Sequence, residues 1–360
     1  VGAERVPATG PPNEHGEFPA LRVGLDIGGT KIHGVLLGPD NAVLAELRAP
    51  TVPGVSGLVA QVGAVIDGML VGIGATRRNV SAIGLGVPGL VDASTGAVIE
   101  AVNMGFSQEA APLARLIGIG FPDAAIAVEN DVNAAAVGAR ALLYPDIAEL
   151  ALLSIGTGLA AGIIANGQLL RGASGAAGEI GHIAIHPEGL LCGCGQRGCL
   201  ETVCSGAAIS RAWGAQPGAD AALEVFDAAD RGEALAVAIR REFVAAMATT
   251  LTLLALTSDP QIILVGGGVS SLGERLLQPV RDRLNLAASS SSLLTRLGIA
   301  GKLVVLPATV PVAAIGAALI ARSSVTAHPF SAPSAETARE SAGNRSPVLV
   351  GQERAAAPPS

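Results

Sequence analysis

The sulfur and imidazole chemistry of this chain is crowded into one window, GEIGHIAIHPEGLLCGCGQRGCLETVC (residues 178–204). It holds all four cysteines of the 360 residues, together with His182, His186, Glu179 and Glu201. Disulfides are one use for such a cluster. The stretch VGAERVPATGPPNEHGEFPALR, however, has no apolar segment of the kind a secretory signal needs, and a reducing cytosol disfavours structural disulfides. A cytoplasmic location is therefore expected, and a metal centre becomes the reading of the window. Cys192, Cys194 and Cys199 form a C-x-C-x4-C series on a glycine-rich loop, with His182 ten residues before the first of them. Thiolates plus an imidazole suit zinc. Spacing leaves two competing ligands open, His186 and Cys204.

Glycine turns behind apolar strands form a second group of candidate sites. In GLDIGGTKI, Asp26 ends a strand. Gly28 and Gly29 then open a turn whose bare amides could approach phosphate, beside the Thr30 hydroxyl and the Lys31 ammonium. A plain β-hairpin that uses glycine for positive φ explains the same residues. Two further strands end alike, in Gly156-Thr157-Gly158 of SIGTGLAAG and in Gly266-Gly267-Gly268 of ILVGGGVS. Any one of these turns reads as structural; the series, with its acidic strand end, points to a nucleotide at strand ends and helix starts. AVENDVNAAAVGAR places Asn130 and Asp131 between an apolar strand and an Ala-rich helix, where local sequence alone favours helix capping. Gly89 in GVPGLVD is explained by a Pro-Gly turn as readily as by a ligand.

The elements that must carry these residues alternate. LRVGLDIGGTKIHGVLLGPDNAVLAELRAP reads as consecutive strands, residues 56–77 space apolar positions as a helix does, and VSAIGLGVPGLVD is a buried strand ending in a turn. The pattern restarts in AELALLSIGTGLAAGIIANGQLL. Mostly helical sequence follows over 206–258, then the strand QIILVGGGV, a helix, the strand KLVVLP and the helix PVAAIGAALIARS. Strands alternating with helices predict an α/β protein in two related lobes. Residues 1–20 and 324–360, rich in Pro, Ser, Ala and charge, are expected to be disordered tails.

Composition narrows the partners. A hydrophobic fraction of 50% supplies sizeable cores, whereas six Phe, one Tyr, one Trp and a net charge of −7 leave little to stack on bases or neutralise a phosphate backbone. No nucleic-acid partner is expected. Apolar runs are interrupted by charge, Gly or Pro before they reach a bilayer span, so no membrane partner is expected either. The excess of Ala, Gly and Arg reads as background composition.

With DIGGTK, GVPGLVD, ENDVNAAAVGA, GTG, GEIGH, CGCGQRGCLE and VGGGV in this order, the chain resembles the ROK group of sugar kinases and sugar-responsive repressors, within the actin, Hsp70 and hexokinase superfamily. The resemblance covers about residues 21–322. It implies two actin-like, ribonuclease H-like α/β lobes with an ATP and sugar cleft between them. The small lobe would span 21–130, with a helix over 311–323 packing on it, and the large lobe 131–310 with the zinc loop. Gly28, Gly29, Thr30, Lys31, Gly156, Thr157 and Gly158 would hold the ATP phosphates, Gly266, Gly267 and Gly268 would border the adenosine, and Asp26 would help hold Mg²⁺ through water. Ala160 and Ala161 depart from the glycines that often continue the second loop. Asp131 becomes the general base while sharing in the helix cap, and Glu129 is structural. Gly89, Asn130, Glu179, His182 and Glu201 fall at sugar-binding positions.

The same resemblance favours His182, Cys192, Cys194 and Cys199 as ligands of a structural zinc with a closed shell, His182 also serving the sugar, and leaves Cys204 as a buried apolar thiol. The implied reaction is ATP-dependent phosphorylation of glucose to glucose 6-phosphate, with N-acetylglucosamine or N-acetylmannosamine as alternative acceptors. AVNMGFSQEAAPL occupies the place of a substrate-side loop. A repressor would carry a helix-turn-helix domain ahead of the first glycine loop, and the short Pro- and Gly-rich segment before Asp26 does not fit one. Relatives of this kind imply a homodimer or homotetramer.

Overall fold

The structure is a computed structural model and describes residues 19–99, 110–216 and 218–326. The expected tails lie outside these residues apart from their inner ends, as does most of AVNMGFSQEAAPL.

The apolar run Leu21–Ile27 (β1) is buried almost throughout, as a strand covered on both faces must be. It turns into Lys31–Leu37 (β2) and then Val43–Pro50 (β3), forming an antiparallel meander. Helix Val55–Ile73 (α1) crosses over to Val80–Val87 (β4), parallel to β1. After the hairpin Leu90–Asp92 (β5) and Ala97–Ile99 (β6) and the helix Leu113–Gly120 (α2), Ala125–Asn130 (β7) adds parallel to β4. The sheet order is β3-β2-β1-β4-β7.

Helix Asp131–Leu143 (α3) leads into a second sheet of the same plan. Leu150–Ile155 (β8), Leu159–Ala165 (β9) and Gln168–Leu169 (β10) form the meander. Gly206–Trp213 (α4), Ala221–Asp230 (α5) and Ala234–Ser258 (α6) precede the parallel strand Ile262–Gly266 (β11). Glu274–Ala288 (α7) and Ser292–Leu297 (α8) precede Leu303–Val305 (β12), and Val312–Thr326 (α9) follows. The order β10-β9-β8-β11-β12 repeats that of the first sheet, so the restart seen in the sequence is a restart of topology.

By length and composition alone α1 is apolar enough to cross a bilayer. Its Leu58, Val62, Val65, Ile66, Met69 and Leu70 instead form one buried face in the core of the first sheet.

Small residues decide how α3 and α9 lie. A Cβ at Gly24 or Gly84 would overlap the carbonyl oxygens of Ala314 and Ala317, so α9 rests directly on the backbone of β1 and β4. α3 touches both sheets. A Cβ at Gly86 in β4 would come 3.3 Å from the Ala134 methyl, and one at Gly162 in β9 would come 2.7 Å from that of Ala136. The two helices also touch each other, since a Cβ at Gly138 would overlap the Val312 carbonyl and one at Gly316 that of Ala134. Gly138 and Gly316 are therefore packing requirements. α9 also runs to Thr326, beyond the 311–323 expected for it. Gly138→Ala is expected to lower the free energy of unfolding by about 1–3 kcal/mol, read as a drop in the urea midpoint, because α9 must shift to admit the methyl group.

Candidate active site

The parallel strands β1, β4 and β7 end side by side. Asp26 pairs with Gly86, Gly86 with Glu129, and Val87 with Asn130, which gathers Asp26, the Gly89 turn, Asn130 and Asp131 at one edge of the first sheet. Asn130 takes the capping role. Its Oδ1 accepts from the amides of Val132 (2.9 Å) and Asn133 (3.1 Å), and its Nδ2 donates to the Gly89 carbonyl at 3.2 Å. Gly89 has φ 98°, a left-handed backbone that favours glycine. The cap expected to be shared with Asp131 thus belongs to Asn130, because Asp131 already lies inside the helix, where its Oδ1 accepts the Val132 amide at 2.9 Å.

Glu129 is 3% exposed and fully engaged. Oε1 accepts from the Asn133 side chain (3.0 Å) and the Asn130 amide (3.1 Å), and Oε2 pairs with Arg171 Nε at 2.6 Å. Arg171 had no signal in the sequence, since nothing local ties it to a strand some forty residues earlier.

The electrostatics place several carboxylates together. Burial, then the neighbouring Asp131 charge, pushes Asp26 from 3.8 up to about 6 against the pull of the Lys31 ammonium. Asp131 is also raised by burial, opposed by the Val132 amide. Glu179 is raised by burial first, with Asp131 and Glu201 adding to the rise and His182 opposing it. Asp26 thus feels the charge of Asp131, and Glu179 those of Asp131 and Glu201, which brings residues from four parts of the chain within electrostatic reach of one another.

GEIGH lies flat on β9. The Ala161 amide donates to the Gly178 carbonyl at 2.8 Å, and a Cβ at Gly178 or Gly181 would overlap the carbonyls of Ala161 or Leu159. Ala160 and Ala161 are regular β9 residues paired with Ser154 and Leu153, so their departure from glycine falls in the strand rather than in the Gly156-Thr157-Gly158 turn. Glu201 bridges two expected sites, because Oε2 accepts the Leu159 amide at 3.0 Å directly beside the Gly156-Thr157-Gly158 turn. A Cβ at Gly158 would collide with that carboxylate oxygen.

The glycine turns divide into two kinds. Gly267 has φ 84° and packs against the Ile155 backbone, so the fold itself demands glycine there. Gly28, Gly29, Gly156 and Gly268 are not left-handed. A Cβ at Gly156 or Gly268 would meet nothing within 4 Å, and one at Gly28 nothing closer than 3.5 Å. The turn at Gly28 is a hairpin, held by Thr51 Oγ1 donating to the Gly28 carbonyl at 2.7 Å, but positive φ is not why it contains glycine. Thr30 is exposed at this turn, and Lys31 opens β2 beside Asp26. The second turn is pinned to the start of α4 by the Gly206 and Ala207 amides, which donate to the Gly156 and Thr157 carbonyls at 2.8 and 3.3 Å. Gly266 pairs with Ser154, which sets the third turn beside the second.

His182, Cys192, Cys194 and Cys199 converge, each offering a ligand atom within 4.8 Å of the others. Cys194 Sγ and Cys199 Sγ are 3.7 Å apart and Cys192 Sγ is 3.6 Å from His182 Nδ1. Zn–S bonds of about 2.3 Å and a Zn–N bond of about 2.0–2.1 Å at tetrahedral angles give edges of about 3.8 and 3.6 Å, so the donor set fits zinc. A disulfide, at about 2.05 Å, does not describe it. His186 and Cys204 stand outside the cluster. Cys204 is fully buried, with its thiol pushed up to about 12 by that burial. His182 Nδ1 faces the cluster while Nε2 lies 3.9 Å from Glu179 Oε2. The loop backbone is tied by Cys192 N to Gln196 O at 2.8 Å and Leu200 N to Ile183 O at 3.0 Å.

Residues 22–323 match the ROK family. The chain is 33% identical over 287 residues to a glucokinase of Halalkalibacterium halodurans, covering 74% of this chain and 86% of the relative. It is 31% identical over 245 residues to an N-acetylmannosamine kinase of Yersinia pseudotuberculosis, covering 68% and 82%. The crystal structure of a ROK family glucokinase from Streptomyces griseus in complex with glucose and AMPPNP aligns with TM-score 0.66 at 31% identity, over 84% of this chain and 99% of that one. The architecture is accordingly the actin-like pair of α/β lobes that the motifs implied.

Asp26 carries a stability consequence. Its folded pKa, about 6, lies above the ordinary 3.8, so the folded state binds the proton more tightly between the two values and stability falls as pH rises through that window. Asp26→Asn is expected to raise the unfolding free energy at pH 7 by about 1–3 kcal/mol, a gain that shrinks toward pH 4 in paired urea titrations.

Proposed function

The chain belongs to the ROK family, and we propose that it transfers the terminal phosphoryl group of ATP to a hexose hydroxyl, glucose at O6 being the leading acceptor. The observation that carries this reading is Asp131 itself, a desolvated carboxylate at the start of α3 whose charge reaches Asp26, just before the first glycine turn, and Glu179 of GEIGH. The chain is a sugar kinase, and Asp131 is its general base: it orients the acceptor hydroxyl and takes its proton as the bond to phosphorus forms. Loss of hydration raises its proton affinity, which suits a carboxylate to that task.

Gly28, Gly29, Thr30, Lys31 and Gly156, Thr157, Gly158 receive the phosphates in this reading, and Gly266 to Gly268 border the adenosine. Support comes from the glycines the fold does not itself require, at 28, 156 and 268, where bare backbone leaves room for a ligand. Mg²⁺ bound with the nucleotide supplies charge neutralisation on the phosphates, and Asp26, whose ionised form is short of compensating charge, is the side chain that would hold it through water. Asn130, Gly89, Glu179, His182 and Glu201 form the sugar side. Closure of residues 21–130 with α9 onto residues 131–310 would exclude water from the transfer.

Zinc held by His182, Cys192, Cys194 and Cys199 is structural, since four protein ligands close the shell. It fixes the turn that presents Glu179, His182 and Glu201, and His182 Nε2 stays directed toward Glu179 while Nδ1 serves the metal. Thiols kept unbridged for such a site suit a reducing cytoplasm. N-acetylmannosamine, named for the Yersinia relative, is the second acceptor to consider.

ADP release across a panel of hexoses and acetamido sugars tests the reading: turnover with glucose is expected, and silence with every sugar would sink it. Asp131→Asn should lower kcat about 100- to 10,000-fold while sugar binding by calorimetry persists. Because the Asp131 pKa is raised, kcat of the unaltered enzyme should decline on the acid side at a pH above the ordinary carboxylate range. For the metal, about one zinc per chain is expected in fresh protein, and Cys194→Ser should raise the sugar KM and lower the melting temperature; zinc-free native protein would remove that assignment.

A further inference from the structure

We propose that Arg171, through its ion pair with Glu129, is a positioning residue that holds Asp131 in register with the sugar-side segment carrying Glu179. This rests on the sugar-kinase reading above. Arg171 follows β10, a strand of the second sheet, by two residues, whereas Glu129 is the penultimate residue of β7 of the first, so the 2.6 Å contact joins the two sheets two residues before Asp131. Glu129 passes the constraint on through its other oxygen, which accepts from the amide of the capping Asn130 and from the Asn133 side chain in the first turn of α3. On the Arg171 side the chain is equally confined. Ala177 N donates to the Arg171 carbonyl at 3.1 Å, closing the segment that runs directly into Gly178 and Glu179. At Gly175, φ 77°, a Cβ would come 2.9 Å from the Val91 carbonyl, so the same segment presses on the β5 hairpin beyond the Gly89 turn. One buried carboxylate thus ties the base on α3 to the strap that delivers Glu179, and neither Arg171 nor Glu129 needs to touch the reactants.

The pair differs from a surface ion pair. Glu129 is 4% exposed at its side chain and Arg171 38%, so loss of the cation leaves a desolvated carboxylate without its counter-charge. Displacement of a reacting group by about an ångström can cost on the order of 100-fold in rate. Arg171→Gln is expected to lower kcat per folded molecule about 10- to 100-fold with the KM for ATP within about two-fold, and Arg171→Lys to recover part of the loss. Should Arg171→Gln fold poorly, the double variant Arg171→Gln/Glu129→Gln removes the unpaired charge; its melting temperature should recover while kcat stays low. A double variant with kcat restored to that of the unaltered enzyme, or a single variant whose lost activity equals its lost folded fraction, would overturn the proposal. Amide exchange supplies a readout independent of turnover: Val132 and Asn133 should exchange faster in Arg171→Gln, and unchanged protection there counts against the clamp. Inactivity of the unaltered enzyme on every sugar, by contrast, would count against the kinase reading and leave the exchange result standing.

Discussion

The rest of the structure depends on holding several carboxylates together where water cannot fully reach them. Asp26, Asp131 and Glu179 come from three separated parts of the chain, and each has its proton affinity raised, first by burial and then, for Asp26 and Glu179, by the charge of a neighbouring acid. Such a cluster is unfavourable to folding, so other interactions must offset it. They come from the cores beneath each sheet and from the close contact of α3 and α9 with the strands. The cost concentrates where the proposed chemistry needs a carboxylate that is both basic and fixed.

α3 is the member that connects these demands. Its first turn is capped by Asn130 and carries Asp131, its small residues lie against β4 on one side and β9 on the other, and its Gly138 meets α9. Glycine inside a helix weakens it by about 1 kcal/mol relative to alanine. The packing contact outweighs that loss here because no side chain at all fits between two helix backbones. The proposed zinc centre answers a similar difficulty, since a loop with so many glycines gains little from its own conformational preference and would be anchored through His182 and the three cysteines that converge with it.

Much of this was legible before any coordinates. Alternating apolar runs and their restart announce a repeated α/β plan, because a buried strand needs an apolar run and a glycine or proline turn needs particular residues. Cys192, Cys194 and Cys199 with a histidine were legible as a candidate metal centre, but spacing alone did not separate His182 from His186 or exclude Cys204. The choice is made by the bend of the loop, which turns His182 Nδ1 toward Cys192 and buries Cys204 against the helices of the second core. Asn130 and Asp131 were visible as a pair, yet which of them caps the helix depends on where the first helical φ and ψ fall.

Sequence by itself determined which chemical groups are present, which runs must be buried and that the plan occurs twice, since composition and periodicity act over short distances along the chain. Tertiary structure alone decided which groups share a space. Asp26 beside Asp131, Arg171 against Glu129, Glu201 on the Leu159 amide and the bare backbone at Gly28, Gly156 and Gly268 are relations between residues brought together only by sheet register and helix packing, and desolvation, which sets the proton affinity of each acid, exists only once that packing is complete.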